Sequence, residues 1–313
     1  MQCKDRKSPA RRASSESRYS LMEFMREFPD DETCLQQLWR DRFSPDGEHA
    51  HCPKCNEIRT FVRYATKQQR QSWTCAACGH HLHPTAGTIY HKSSTSLHLW
   101  FYAMYLMTST RCGISAKQLE RELGVTYKTA WRMFNQIRTM FEEDIRDLAG
   151  EVEADETYVG GKDRFKHANK RKRQGRGPVD KQPVWGAVER GGRVIARVIP
   201  NTRATTLMPN VIERVLPAST VYTDEVPMYD SLAAHGFGHQ RVHHRQKIYV
   251  EGDAHVNTLE GFWSLVKRGI GGVYHSVSSK HLQSYLSEYA WRYNRRNDPQ
   301  ASFRTLLLRA AHV

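Results

Sequence analysis

The chain has 313 residues, and its 47 lysines and arginines against 33 acidic residues give a formal net charge of +14 and a pI near 9.5. That length allows two or three domains with separate cores, and that charge favours a polyanionic partner, nucleic acid being the commonest. No run of eighteen apolar residues exists to span a membrane and the N-terminus has no apolar signal segment, so the expected location is cytoplasmic.

Residues 1–20 are basic, serine-rich and nearly free of large apolar groups, which predicts a disordered tail. A short helix follows, opened by Asp30-Asp31-Glu32 and given apolar spacing by Cys34, Leu35, Leu38 and Trp39. Next come Cys52-Pro53-Lys54-Cys55, nineteen residues, and Cys75-Ala76-Ala77-Cys78. Two C-x₂-C turns at this spacing fit tetrahedral Zn²⁺ held by Cys52, Cys55, Cys75 and Cys78, with strand residues such as Phe61, Val62 and Trp73 between them. The odd total of seven cysteines, four in tight pairs, suits a reducing compartment and a metal better than disulfides. Four thiolates close the site, so the zinc is read as structural and His80, His81 and His83 as surface neighbours. The expected unit is a zinc ribbon with its leading helix over 21–92.

Residues 93–149 read as a helical region. An apolar helix begins near Leu97, and Ser115 to Trp131 then give a helix, a turn at Gly124 and a second helix capped by Thr126. This helix-turn-helix pattern exposes Tyr127, Lys128, Arg132 and Gln136 and buries Ala130 and Phe134. Tyr127, Lys128 and Arg132 are the candidates for DNA contact.

From residue 150 the periodicity changes. One extended run closes on Asp155 and another, Val221-Tyr222-Thr223, on Asp224; between them the runs 184–189 and 193–199 flank a turn at Arg190-Gly191-Gly192. A loop from Lys162 to Arg176 has eight lysines or arginines among fifteen residues, and Lys170, Arg171, Lys172 and Arg173 are candidates for phosphate contact. A helix is expected over 204–216, a short strand at 241–246, a helix through Asn257 to Lys267 stopped by Gly269-Ile270-Gly271-Gly272, and a last helix near 279–296. The order of three strands, helix, strand, helix, strand, helix points to α/β structure over 150–313: a ribonuclease-H-like mixed sheet with helices on both faces. Two strand-end aspartates and a helical glutamate, Asp155, Asp224 and Glu260, are the donors a pair of Mg²⁺ (or Mn²⁺) ions needs for phosphoryl transfer. On the Glu260 helix, Asn257 and Lys267 lie three before and seven after, on one face, while Leu259, Phe262, Trp263 and Val266 form the buried one.

These motifs together resemble the transposases of bacterial insertion sequences that carry an N-terminal zinc ribbon and a ribonuclease-H-like DDE domain, the ISXO-like group, similar to Merlin elements. The matching stretches are CPKC, CAACG, SAKQLERELGVTYKTAWRMF, EADETYVGGK, VWGAVERGGRV, VYTDE and HVNTLEGFWSLVKRGIGGVYH, from about Leu21 onward. Glu288, Arg292 and Arg295 resemble a further signature of the group. The resemblance implies cleavage of DNA at terminal inverted repeats and joining to a target, by a homodimer or larger assembly at the nucleoid. It gives Lys267 a phosphate near the cleaved end. It leaves the third metal ligand open between Glu260 and Asn257; the spacing from Asp224 and the stronger hold of a carboxylate on Mg²⁺ favour Glu260. Two other activities stay open: a silent DNA-binding regulator derived from a transposase, and a nuclease without strand transfer.

Overall fold

A computed structural model of the chain describes residues 19–65, 71–110, 112–160, 181–224, 227–241, 256–296, 298 and 302–312. The first elements are α1 (Leu21–Glu27), α2 (Asp31–Arg42), β1 (His49–Cys52), β2 (Glu57–Ala65), β3 (Gln71–Cys75), β4 (His81–Leu82) and α3 (Leu97–Ser109). Next come α4 (Ala116–Leu123), α5 (Tyr127–Thr139), β5 (Glu151–Val159), β6 (Gln182–Glu189), β7 (Val194–Val198), α6 (Ala204–Arg214), β8 (Thr220–Thr223) and β9 (Gly238–Arg241). The last are α7 (Asn257–Gly269), α8 (Ser279–Asn294) and α9 (Ser302–His312). No helix among the described residues is long and apolar enough to cross a membrane.

The chain divides into two compact units, one running to Ser109 and including the residues from Asp298 on, the other Thr110–Asn297. In the first, Ser20 and Glu23 close a capping box on α1, and Asp30 caps α2 through the Thr33 amide at 2.8 Å. Strands β1–β4 form an antiparallel sheet in sequence order. Trp39 of α2 is buried and stacks on Trp73 of β3, ring centroids 4.7 Å apart and planes 3° from parallel. Phe28, Trp100, Phe101 and Phe303 are buried in the same unit.

The second unit is built on a five-stranded sheet in the order β7-β6-β5-β8-β9. The pairs β7–β6 and β6–β5 are antiparallel; β5–β8 and β8–β9 are parallel. Strand alternation sends Val152, Ala154 and Trp185 into a core with Leu207 and Val211 of α6, and Val159, Val184 and Val188 into another with Leu259, Phe262 and Val266 of α7 and Leu286 of α8. Helices therefore cover both faces of the sheet. The helix expected between the fourth and fifth strands is replaced by two single 3₁₀ turns, Pro227–Tyr229 and Leu232–His235, in a segment broken by Pro227 and Gly236. The expected stop after Gly269 is instead a π-helical turn, Ile270–Tyr274.

The helix-turn-helix pair has the expected local chemistry. Ser115 caps α4, Gly124 ends it in the left-handed region at φ 62°, and Thr126 caps α5 through the Thr129 amide. A buried ion cluster ties α5 to α8: Arg138 and Arg292 donate to Glu288 at 2.7 and 2.5 Å, with Arg138 and Glu288 both almost fully buried. Burial opposes the charge on Glu288, yet the two guanidinium groups hold its carboxyl below its usual range.

Candidate carboxylate site and metal centre

Asp155 and Asp224 lie near one another where β8 ends beside β5, which runs on past Asp155 to Val159. Glu153 of β5 is level with Tyr222 of β8, which carries Asp155 along toward Asp224 at the end of the neighbouring strand. By alternation Glu153 and Asp155 point to the α7 face and Glu156 to the α6 face. Asp155 pairs across β6 with Gly186, whose missing side chain matters: a Cβ there would lie 2.5 Å from the Trp263 ring. That space lets Trp263 of α7 lie over the strand and donate its Nε1–H to Asp155 at 3.1 Å.

Burial and the charge of Asp224 push Asp155 up to about 6, and the charge of Glu260 adds to this; the Trp263 bond works the other way. Glu156 is pushed up to about 7, by burial and by Asp155 and Asp224, against the lowering effect of the Tyr229 hydroxyl that donates to it. The cluster thus carries more negative charge than its surroundings offset.

Helix α7 has no side-chain cap of its own at Val256. Glu153 takes that role from the sheet. Fully buried, it accepts from the Leu259 amide at 2.9 Å and the Thr258 hydroxyl at 2.9 Å, and its Oε1 lies 3.2 Å from Nε of Arg190. The Arg190 guanidinium lies over the Tyr222 ring, 3.9 Å from its centroid.

In the first unit, the four cysteine sulfurs all lie within 4.8 Å of one another, with Cys52–Cys78 at 3.6 Å and Cys55–Cys75 at 4.0 Å. A Zn–S bond of about 2.3 Å places tetrahedral sulfurs about 3.8 Å apart, so the donor set fits zinc. Burial works against ionising Cys52, but amide groups of Cys55 and Lys54 and the neighbouring thiols bring it down to about 7. His81 and His83 are exposed and His80 is half-buried, and His81 meets the hydroxyls of Ser72 and Thr74. Among the described residues no other group of three or more His, Cys, Asp or Glu is gathered this closely, so Asp155, Asp224 and Glu260 do not share one point as the thiols do.

Residues 147–294 match the ISXO2-like transposase domain. A protein described as "Uncharacterized protein in transposable element ISH50" from Halobacterium salinarum is 33% identical over 253 residues, covering 77% of this chain and 84% of the relative. The chain belongs to the ISXO2-like transposase family. An "Uncharacterized transposase-like protein" of Haemophilus influenzae is 34% identical over 102 residues, 33% of this chain and 81% of that one. A cryo-EM structure of the simian T-cell lymphotropic virus intasome in complex with PP2A regulatory subunit B56 gamma aligns with a TM-score of 0.29 at 10% identity, over 64% of this chain and 73% of that chain, too slight a likeness to bear on the fold.

In this transposase-family chain Asn257, Glu260 and Lys267 form one exposed stripe along α7, while Leu259, Phe262, Trp263 and Val266 are buried. Tyr127, Lys128 and Arg132 are exposed on α5. Lys170, Arg171, Lys172 and Arg173 lie outside the described residues, as do 1–18 of the tail expected over 1–20 and 242–246 of the strand expected at 241–246; Ser20 of that tail caps α1, and Arg241 closes β9. Four residues joined to the site were not singled out from the sequence: Glu153, Trp263 as a partner of Asp155, and Glu156 with Tyr229. The two-residue step from Glu153 to Asp155 was the available signal, since it sets both acids on one strand face.

Replacing Cys75 with Ser is expected to lower bound zinc well below one per chain and to expose the Trp39–Trp73 pair, because such small units draw folding energy from their metal. Elemental analysis and tryptophan emission read both effects; a native protein with far less than one zinc per chain would rule out the site.

Asp155 titrates near 6 in the folded chain against an ordinary 3.8, so across that window the folded form binds the extra proton. Stability of the magnesium-free protein should therefore rise as pH falls from about 7 toward 5 and be lost as pH climbs back through 6. Urea midpoints at pH 5 and 7.5 measure this, and Asp155→Asn should flatten the difference. An equal difference in the variant would move the cause from Asp155 to Glu156, which is pushed up to about 7.

Proposed function

We propose that this chain is a DNA transposase that cuts at the terminal repeats of its own element and joins the ends to target DNA by metal-dependent phosphoryl transfer. The strand order, with antiparallel strands leading into parallel ones and helices on both faces, supports a ribonuclease-H-like catalytic domain. The reading rests on the crowding of carboxylates beside the end of β8: burial, Asp224 and Glu260 all raise Asp155. Carboxylate oxygens are the donors hard divalent cations prefer, and Asp155, Asp224 and Glu260 are proposed to hold them. Divalent ions held there would supply the positive charge that activates the attacking hydroxyl and stabilises the leaving oxygen of an in-line displacement.

The chain's own contribution is position. Trp263 fixes one Asp155 oxygen, Glu153 fixes the start of α7, and Lys267 stands two helical turns beyond Glu260 to meet a phosphate near the cut. Tyr127, Lys128, Arg132 and the basic loop around Lys170 would hold DNA while the zinc ribbon takes part in recognising the ends. Two ends must be processed together, so a homodimer or larger assembly acts on the nucleoid in the cytoplasm.

The test is incubation with labelled duplexes bearing the element's ends, a plasmid target and Mg²⁺. Cleavage and joining are expected in the native protein, and neither in Asp224→Ala, which still binds the ends. Binding without cleavage by the native protein would leave a silent regulator; cleavage without joining of pre-cut ends would leave a nuclease.

A further inference from the structure

The second unit holds a cleft of about 630 Å³ that the proposed cleavage chemistry does not use. Its walls come from α4 and α5 and from the turn that joins α7 to α8. That turn is the π-helical segment Ile270–Tyr274, and it ends in His275 at φ 60°, ψ −45°. Non-glycine residues avoid this region, and both π-turns and strained residues persist mainly where a site requires them.

Two kinds of side chain line the cleft. Tyr127 and Trp131 lie one turn apart on α5, ring planes 17° from parallel and centroids 6.4 Å apart, and His281 of α8 meets Trp131 edge-on at 6.1 Å. Lys117 and Arg121 of α4 are exposed at its wall. Lys117 Nζ stands 5.6 Å from the Tyr127 ring centroid and pairs at 2.5 Å with the half-buried Glu120, leaving the more exposed ammonium open to a phosphate on its solvent side. No acidic residue among the described ones lines the cleft.

Flat rings beside cations, with no carboxylate in the lining itself, suit a ligand that is flat at one end and anionic at the other. The volume is that of a site for one small ligand, on the order of 300–1,000 Å³. One nucleotide outside its stack fits; a stacked duplex does not. Lys128 and Arg132 follow Tyr127 and Trp131 by one residue, about 100° around the helix. The helix thus offers a basic row to a duplex and an aromatic row to the cleft.

We propose that the cleft takes one unpaired nucleotide of the bound DNA, its base packed on Trp131 and Tyr127 and its phosphate held by Lys117 and Arg121. The proposal rests on the reading of the chain as acting on DNA ends, and it adds a site for a base drawn out of the helix. Stacking on aromatic rings tolerates any base, and extrusion is least costly at a mismatch or a cut end.

The test compares a matched duplex of the element's end with the same duplex carrying one mismatched thymine, using the full chain. The native protein should prefer the mismatched duplex. Trp131→Leu, which keeps apolar bulk but not the stacking surface, should weaken mismatched binding by about 5- to 150-fold, the range of one base–aromatic stack. It should leave matched binding unchanged. With 5-iodouracil at the mismatch, light should crosslink the base to Tyr127, Trp131 or His281. Arg121→Glu, an exposed change, should remove the mismatch preference even if Trp131→Leu fails to fold. Equal binding of both duplexes by the native protein, or crosslinks only to other residues, would overturn the cleft while leaving the transposase reading intact. Failure to bind either duplex would overturn both.

Discussion

Glu260→Gln is expected to abolish Mg²⁺-dependent cleavage of element ends, by on the order of 10³-fold or more, while Asn257→Ala only slows it. The two positions stand one turn apart on α7 and both are exposed, so the fold alone does not choose between them. Charge favours Glu260, which adds to the raised pKa of Asp155 as a neutral carboxamide at Asn257 cannot. A second readout needs no turnover. Removing the Glu260 charge should relieve repulsion in the magnesium-free protein, so Glu260→Gln should be more stable than the native chain at pH 7.5 and equal to it near pH 5. Stabilisation by added Mg²⁺ should shrink in the same variant. Near-normal cleavage in Glu260→Gln with a dead Asn257→Ala would transfer the role to Asn257.

Features read correctly from the sequence were those whose meaning is local. Paired cysteines two residues apart, Thr126 ahead of an amphipathic run and Gly124 at a helix end each carry their own geometry within a few residues. The strands carrying Asp155 and leading to Asp224 were also legible, because alternation and turn residues mark a strand within its own length, but the run expected to close at Asp155 continues to Val159. The rest depends on distant partners. Glu153 in a buried strand breaks the apolar pattern and looks like a defect until α7 is seen, more than a hundred residues later, with its first turn uncapped. Trp263 reads as core by its spacing; only Gly186 on another strand leaves room for it to reach Asp155. The stretch after Gly269 looked like a stop because glycine favours helix ends. Packing against α8 instead draws it into a wider turn, where a Cβ at Gly269 would collide with the Tyr289 hydroxyl.

Glu153→Ala should have the largest effect on stability in the second unit, about 3–5 kcal/mol, because it strips a buried partner from Arg190 and leaves the Leu259 amide without an acceptor. Glu153→Gln separates these two losses. The carboxamide oxygen can still accept from Leu259, but the charge opposite Arg190 is gone. If Glu153 acts mainly as the cap of α7, Gln should keep most of the slow hydrogen exchange at Leu259 and much of the cleavage activity, while Ala loses both. If it acts mainly as an ion partner, Gln and Ala should destabilise alike in urea titrations. The geometry favours the cap, since two bonds of 2.9 Å run to α7 and the contact to Arg190 is longer and shared with Glu151. The consequence for chemistry is specific. A frayed first turn displaces Asn257 and Glu260 together but leaves Asp155 and Asp224 on their strands. Glu153→Ala should therefore still bind DNA ends and should recover part of its cleavage when Mn²⁺, which tolerates looser geometry, replaces Mg²⁺. Full cleavage with Mg²⁺ in a chain whose α7 exchanges freely would show that the helix start does not hold the third ligand.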